Sequence, residues 1–284
     1  GVAIATSGPG ATNLVTGLAD AQIDSTPMVC ITGQVSSNLL GSDAFQETDI
    51  VGISTPVTKW NHQVTKASDI PKVLAKAFYI AKSGRPGPVL IDITKDAQFE
   101  LLDFNYKKVT GIRSYKPIPK LDATSLDLAA DLINKSIKPM IVWGQGVILA
   151  EAENEFKKFV EKTGIPAAWT IMGVSAIPTS HPLNVGMVGM HGNYAPNMLT
   201  NECDLLIAIG MRFDDRVTGN LDKYAKQAKI IHFEIDPAEI DKNVKVDVSV
   251  LGDAKESLSK ILPLLKTRTH NSWLVKFKEL YDIE

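Results

Sequence analysis

Three short apolar runs late in the chain limit its fold more than any other feature. They span 205–209, 230–235 and 246–251, inside DLLIAIGMRFDDRVTGN, KIIHFEIDPAEI and VDVSVLGDAKESL. Each stops at a turn: Gly210 follows the first, Asp236-Pro237 the second and Gly252 the third. Runs that are continuous rather than alternating read as strands covered on both faces, the condition of a parallel sheet between helices. Ligands of such sheets sit in the crevice at the carboxyl ends of the strands. Here those ends carry Arg212, Asp214, Asp215, Arg216, Glu234, Asp236 and Asp253. Glycines and mixed charges on a rigid sheet edge suit a nucleotide or a flavin.

At 284 residues the chain is long enough for about two domains, and 44% hydrophobic residues supply their cores. A net charge of −2 offers no electrostatic reason to expect nucleic acid or an anionic membrane as partner. No apolar run approaches the roughly 20 residues of a membrane span. Cys30 and Cys203 form no CxxC pair, which fits a reducing, cytoplasmic setting rather than a disulfide framework. The chain opens inside a strand pattern, GVAIAT, and closes in a helical one at Trp273, Leu274, Phe277, Leu280 and Tyr281. The expectation is an internal fragment, so a missing targeting signal decides nothing.

Residues 1–110 alternate strand and helix: strands at 2–5, 27–32 and 88–93, and helices at 14–21 and 70–82. Thr12, Asn13 and Asp69 are candidate helix caps, and 33–57 reads as loop. Residues 111–122, basic and proline-bearing, read as a linker. A second α/β unit follows over 123–266. It has helices at 124–135 (capped at Thr124 or nearby), 151–163, 193–201 and 254–265, strands at 140–143 and 167–170, and a long loop at 174–192. Residues 267–284 read as a terminal helix or linker toward a further domain. The fold class is α/β: two consecutive doubly wound, mainly parallel sheets.

Several segments carry chemistry, each with a plainer alternative. GQG at 144–146 follows a strand but lacks the full GxGxxG, so it serves equally as a simple turn or as a backbone approach to a phosphate or flavin edge. GDA at 252–254 resembles the start of a thiamine diphosphate motif, yet no Asn-Asn follows. No metal site is expected there; Asp253 reads as a contact to a nucleotide hydroxyl or as a helix N-cap. GMVGMHGN at 186–193 offers one histidine and no second ligand at metal spacing, so no zinc site is expected, and a structural histidine or close packing against a flat ring remains. RFDDR at 212–216 is either a surface charge cluster or, because it follows an apolar strand, a fork for phosphate or carboxylate. DAFQETD at 43–49 is an ordinary loop or an active one, and Lys95 is a solvated or a carboxylate-binding lysine.

ATSGPGATNLVTGLADA, TGQVSSNLLGSDAFQETDIVGIS, SGRPGPVLIDITKD, VGMVGMHGN, GMRFDDRVTGN and HFEIDPAEIDKN occur in one order over nearly the whole chain. Together they resemble the large, catalytic subunits of the acetolactate synthase (acetohydroxyacid synthase) family of thiamine-diphosphate enzymes. SGPGATN and GRPGPV are widespread among such enzymes, whereas DAFQETD, GMHG and RFDDRVTG are narrower. The resemblance implies that 1–110 is a partial pyrimidine-binding domain and 123–266 a central, Rossmann-like FAD-binding domain. It places the activating glutamate upstream and the diphosphate- and magnesium-binding domain downstream, so the fragment alone would be inactive. It implies decarboxylation of pyruvate and ligation to a second 2-oxoacid, pyruvate or 2-oxobutyrate, on the route to valine, leucine and isoleucine. FAD would bind without a redox role. A homodimer or tetramer, with a small regulatory subunit, is the implied assembly.

By the same resemblance, Phe45 and Gln46 approach the reacting centre, and Lys95 lies at its mouth. Arg216 holds the second oxoacid's carboxylate, and Met190 lines the same channel. FAD falls to Gly144, Gly146, Thr170, Met172, Gly189, His191, Gly210, Arg212, Asp214, Glu234, Ile235 and Asp253. The chain departs from the family where Ile93-Thr94 replaces a pair ending in proline, and at Ser36, often proline or alanine. The rivals are a sister thiamine enzyme (pyruvate oxidase or glyoxylate carboligase) and a non-catalytic nucleotide-binding module. A sirtuin-like deacylase lacks support, because the cysteine pairs of its zinc module are absent.

Overall fold

The apolar runs pair in parallel. In a computed structural model describing residues 1–284, β1 (Val2–Ala5), β2 (Met28–Gln34), β3 (Trp60–Val64) and β4 (Pro88–Thr94) form one sheet of order β1-β2-β4-β3. Every residue of β4 is buried, as a central strand between two helical layers requires. Its alternate side chains feed two cores. Val89, Ile91 and Ile93 meet Val73, Ala77, Ile80 and Ala81 of the helix Ile70–Lys82. Leu90 joins Leu18, Cys30 and Ile50 on the opposite face. The helix spacing, i, i+4, i+7, i+8, is that of a core-facing stripe.

The capping expectations in this unit are corrected. Asp69 occupies the cap position but makes no side-chain cap bond, because a 3-10 turn, Ala67–Asp69, runs into the helix and leaves Asp69 in helical conformation. Thr12 and Asn13 do not start the next helix either: they end a short one, Pro9–Thr12, with Asn13 as its C-cap, and Leu14 is the N-cap of Val15–Ile23. The expected loop 33–57 holds a helix, Ile50–Ser54, whose cap is Asp49, accepting from the Gly52 N–H at 2.9 Å.

The second sheet is built from β5 (Pro139–Trp143), β6 (Ala167–Trp169), β7 (Asn184–Met187), β8 (Leu205–Ile209), β9 (Lys229–Glu234) and β10 (Val248–Leu251). Its order is β10-β9-β8-β5-β6-β7, parallel throughout. Successive strands grow outward in opposite directions from the β5/β8 pair. Ile141, Trp143, Ile207, Ile209, Ile231 and Phe233 pack on the helices Ala123–Lys135, Glu153–Thr163 and Ala254–Ile261. Met140, Val142, Leu206 and Ala208 face the other way, toward Ala195, Leu199, Trp273 and Phe277 of Tyr194–Thr200 and Asn271–Tyr281. Asp122, two residues before Thr124, caps the first of these helices through the Ser125 N–H. The loop expected over 174–192 contains β7, a short edge strand with an irregular register.

The chain divides into two compact units, Gly1–Pro117 and Ile118–Glu284. No helix is long and apolar enough to cross a membrane.

Candidate functional site

All the cofactor candidates lie on the carboxyl edge of the second sheet. β5 runs into Gly144-Gln145-Gly146 and β8 into Gly210, side by side. The two turns bond directly: the Gly144 N–H donates to Ile209 O and the Gly146 N–H to Gly210 O, each at 3.0 Å. A Cβ on Gly146 would come within 2.6 Å of the Gly210 Cα, and Gly210 itself has φ +58°. Gly173, after β6, presses on Gly144 in turn. The GQG glycines are therefore required by the backbone of the neighbouring turn. That requirement holds whether or not a ligand also approaches the turn. Thr170 is buried and ends β6, its N–H on Trp143 O, and Met172 is exposed on the turn that follows.

The RFDDR turn is propped from below. Phe213 is buried with φ +50° and packs edge-on against His232 (5.0 Å) and Tyr224 (6.2 Å). His232, fully buried on β9, bonds Met211 O through Nε2 at 2.7 Å. A carbonyl only accepts, so that nitrogen carries the proton, and the buried Nδ1 has no hydrogen-bond partner. Asn243 donates to Phe213 O. Above this support, the Asp214 carboxylate accepts from the N–H groups of Arg216 and Val217 and lies 3.5 Å from the Arg212 guanidinium. Arg216 stays extended in solvent, 71% exposed, its Nε 3.8 Å from Asp215. An ion pair this loose contributes little, so the guanidinium fork is open to a ligand.

GMHG docks on this turn. The Met190 N–H donates to Arg216 O at 2.7 Å, and Arg216 Nη1 reaches Met190 Sδ at 3.7 Å. Gly189, φ +105°, lies so close to Arg216 O that a Cβ would fall 2.6 Å from it. Asn197 clamps Gly189 from behind, accepting its N–H and donating to its carbonyl. Met190 and His191 project outward, exposed. Farther along the edge, Glu234 accepts from the N–H groups of Ile235 and Asp236. Asp253 accepts from the Glu256 N–H at Oδ1 as the cap of Ala254–Ile261, and its second oxygen makes no part of that bond.

In the first unit, the carboxyl edge gathers the Gly8 turn, the loop after β2 and the start of the helix Lys95–Phe99. A Cβ on Gly8 (φ +57°) would sit 2.7 Å from Gln46 O, so SGPG and DAFQE are in contact. Asp96 ties the loop down, accepting from the Ser37 N–H and hydroxyl, and these bonds pull its carboxyl well below the usual carboxylate range. Glu47 gathers Gly41, Ser42 and Ala44 by their N–H groups. Phe45 is left 88% exposed, Gln46 takes φ +60°, and Lys95 is exposed at the end of β4. A cleft of about 450 Å³ opens between the ends of β1, β2 and β4, lined by Thr6, Thr32, Gly33 and Gln98 among others; Phe45, Gln46 and Lys95 are not in its lining. The catalytic candidates thus divide between the units: Phe45, Gln46 and Lys95 in one, Met190 and Arg216 in the other.

Three residues at these edges were not singled out by sequence. Asp92, His232 and Asn197 are buried or half-buried supports. Asp92 had a visible signal, a carboxylate inside the apolar run PVLIDIT, and so did His232 in IIHFEI.

Residues 126–261 match the central domain of thiamine pyrophosphate enzymes, and residues 1–53 match their N-terminal TPP-binding domain. The chain belongs to this enzyme family. Within it, the similarity is to acetolactate synthase large subunits. The chain is 53% identical over 266 residues to that of Corynebacterium glutamicum, covering 94% of this chain and 42% of the relative. It is 46% identical to the probable acetolactate synthase large subunit of Methanocaldococcus jannaschii (99% and 48% covered). It is 45% identical to the acetolactate synthase large subunit of Lactococcus lactis (96% and 48%). The chain spans less than half the length of these relatives.

Proposed function

We propose that the complete protein containing this chain is an acetolactate synthase, joining the two-carbon remnant of decarboxylated pyruvate to pyruvate or 2-oxobutyrate. The identity of 45–53% with acetolactate synthase large subunits, across at least 94% of this chain, carries the reading. Thiamine diphosphate supplies the electron sink when bound, with magnesium as its diphosphate counter-ion. In this reading the residues of the chain bind, orient and exclude water. Arg216, with its guanidinium unencumbered, takes the carboxylate of the second oxoacid as a bidentate pair. Met190, against the same guanidinium, lines the oxoacid channel; Phe45 and Gln46 are assigned to the reacting centre and Lys95 to its mouth.

The second unit is read as an FAD-binding, Rossmann-like domain. Numbered within the unit, its strand order is 6-5-4-1-2-3, the order of doubly wound dinucleotide folds, which take ligand at the point where the order reverses. That point is the β5/β8 pair, flanked by Gly144, Gly146 and Gly210. The donor set fits the cofactor. Arg212 suits the pyrophosphate, Glu234 and Asp253 the hydroxyls of a ribose or ribityl chain, and the exposed Met172 and Met190 a flat ring. The domain limits 1–110, 111–122, 123–266 and 267–284 belong to the same proposal.

A homodimer or tetramer, in the cytoplasm, completes the reading. Two free, buried cysteines accord with that compartment, and the name "large subunit" borne by the relatives accords with a small regulatory partner. The test is product identity. The full-length protein, given pyruvate and 2-oxobutyrate with thiamine diphosphate, magnesium and FAD, forms acetolactate and acetohydroxybutyrate. Acetaldehyde or acetyl phosphate as the main product would move it to a sister enzyme.

A further inference from the structure

One buried carboxylate in the first unit has no part in the chemistry above. Asp92 lies within β4, fully buried, and its partners are neutral side chains. Thr32 Oγ1 donates to Oδ1 at 2.7 Å, Gln63 Nε2 to Oδ2 at 2.9 Å, and Gln34 Nε2 to Oδ2 at 3.2 Å. Thr32 and Gln63 stand directly opposite Asp92 on β2 and β3, so one carboxylate ties three adjacent strands.

Gln34 extends the tie beyond the sheet. Its Nε2 also donates to Thr48 O at 2.8 Å, while its Oε1 accepts the Val35 N–H at 2.9 Å. A side-chain amide nitrogen has two hydrogens, and both are used here, on Asp92 and on Thr48. Turned over, the amide would set its oxygen against two acceptors and its nitrogen against a donor. Asp92, Thr48 O and the Val35 N–H together set this orientation, and through it Gln34 joins Asp92 to Thr48, between the loop bearing Phe45 and Gln46 and the helix Ile50–Ser54. Glu47 gathers the other side of that loop.

We propose that Asp92 is a positioning residue for Phe45 and Gln46, acting through Gln34 as a hydrogen-bond acceptor and not as a charge or a proton donor. The proposal rests on the reading that Phe45 and Gln46 approach the reacting centre. Burial pushes the Asp92 carboxyl above its ordinary value, against the opposite pull of the Gln63, Thr32 and Gln34 donors. An asparagine would serve: its oxygen can accept from Gln34 and Gln63, and its amide can donate to the Thr32 hydroxyl. An alanine would leave the Gln34, Gln63 and Thr32 donors without an acceptor.

The experiment uses the full-length protein and two readouts. The first is hydrogen exchange of loop amides 41–49, with strand amides 28–34 and 88–94 as the folding control and no substrate present. Asp92→Ala and Gln34→Leu each speed loop exchange about tenfold, as expected for one lost buried hydrogen bond. Asp92→Asn stays within about twofold, and the double variant Asp92→Ala/Gln34→Leu adds little to either single one. The second readout is pyruvate turnover, where Asp92→Ala lowers kcat more than it raises KM and Asp92→Asn restores it. Gln34→Leu leaves Thr32 and Gln63 on Asp92, and it carries the test if the alanine variant does not fold. Unchanged loop exchange in Asp92→Ala and Gln34→Leu, or an Asp92→Asn as impaired as Asp92→Ala, overturns the proposal. A loosened loop with unchanged turnover upholds the tie from Asp92 to the loop and removes Phe45 and Gln46 from the reacting centre.

Discussion

Arg212 and Arg216, four residues apart on one turn, are held differently and should answer differently to removal. Arg212 lies beside the Asp214 carboxylate that caps the turn, partly enclosed, while Arg216 extends into solvent over Met190. If Arg212 makes a charge-assisted bond to the FAD pyrophosphate, Arg212→Ala weakens flavin binding by about 1.5–3 kcal/mol, read by fluorescence titration. Arg216→Ala leaves that titration alone and raises the requirement for the second oxoacid more than it slows decarboxylation; equal loss of both steps would remove its assigned role. Glu47 predicts a pH effect. Backbone N–H bonds, Gly41's foremost, hold its carboxyl below the ordinary glutamate value. A depressed folded-state value means that loop order is fully present above the ordinary glutamate range and is lost as pH falls below it. Exchange at 41–47, taken relative to the intrinsic amide rate at each pH, should therefore rise in acid, and Glu47→Gln should show the acid behaviour already at neutral pH.

Among the elements, the strand ends depend on what lies beneath them. His232 carries the β8 turn on its ring and its Nε2 proton, so His232→Phe should keep the packing and lose the bond to Met211 O, at a cost of about 1 kcal/mol plus a looser flavin site. Gly146→Ala forces a Cβ against the Gly210 Cα and should lower stability by about 1–3 kcal/mol in thermal unfolding, whether or not FAD is added. Central elements were legible from pattern alone. The 205–209 run and the 70–82 helix were expected at the bounds they take, because a strand buried on both faces and a one-sided helix leave unambiguous periodicities. Edge elements were not. WNHQV of β3 and NVGM of β7 are half-exposed and follow neither period. The glycine turns were visible, but that their partner is another turn is a property of the β5/β8 pairing, which no local spacing encodes. Pattern placed Arg212, Asp214, Arg216, Glu234 and Asp253 at strand ends and the resemblance supplied their roles, whereas Asp92 and His232, each a single polar residue in an apolar run, were open to direct reading.

For the whole molecule, both units present their functional candidates on the carboxyl edges of parallel sheets, as the topology of such sheets requires. The first unit brings a loop held by Glu47, Asp96 and Gln34; the second brings the paired glycine turns and two arginines. In the proposed function the second edge holds a flavin that assists carboligation without exchanging electrons. The most direct measurement is acetolactate formation by the full-length protein from pyruvate, thiamine diphosphate and magnesium, with and without FAD, while oxygen is followed by electrode. FAD-dependent acetolactate with no oxygen uptake is the predicted result. Oxygen consumed in step with pyruvate, with peroxide formed, would contradict it.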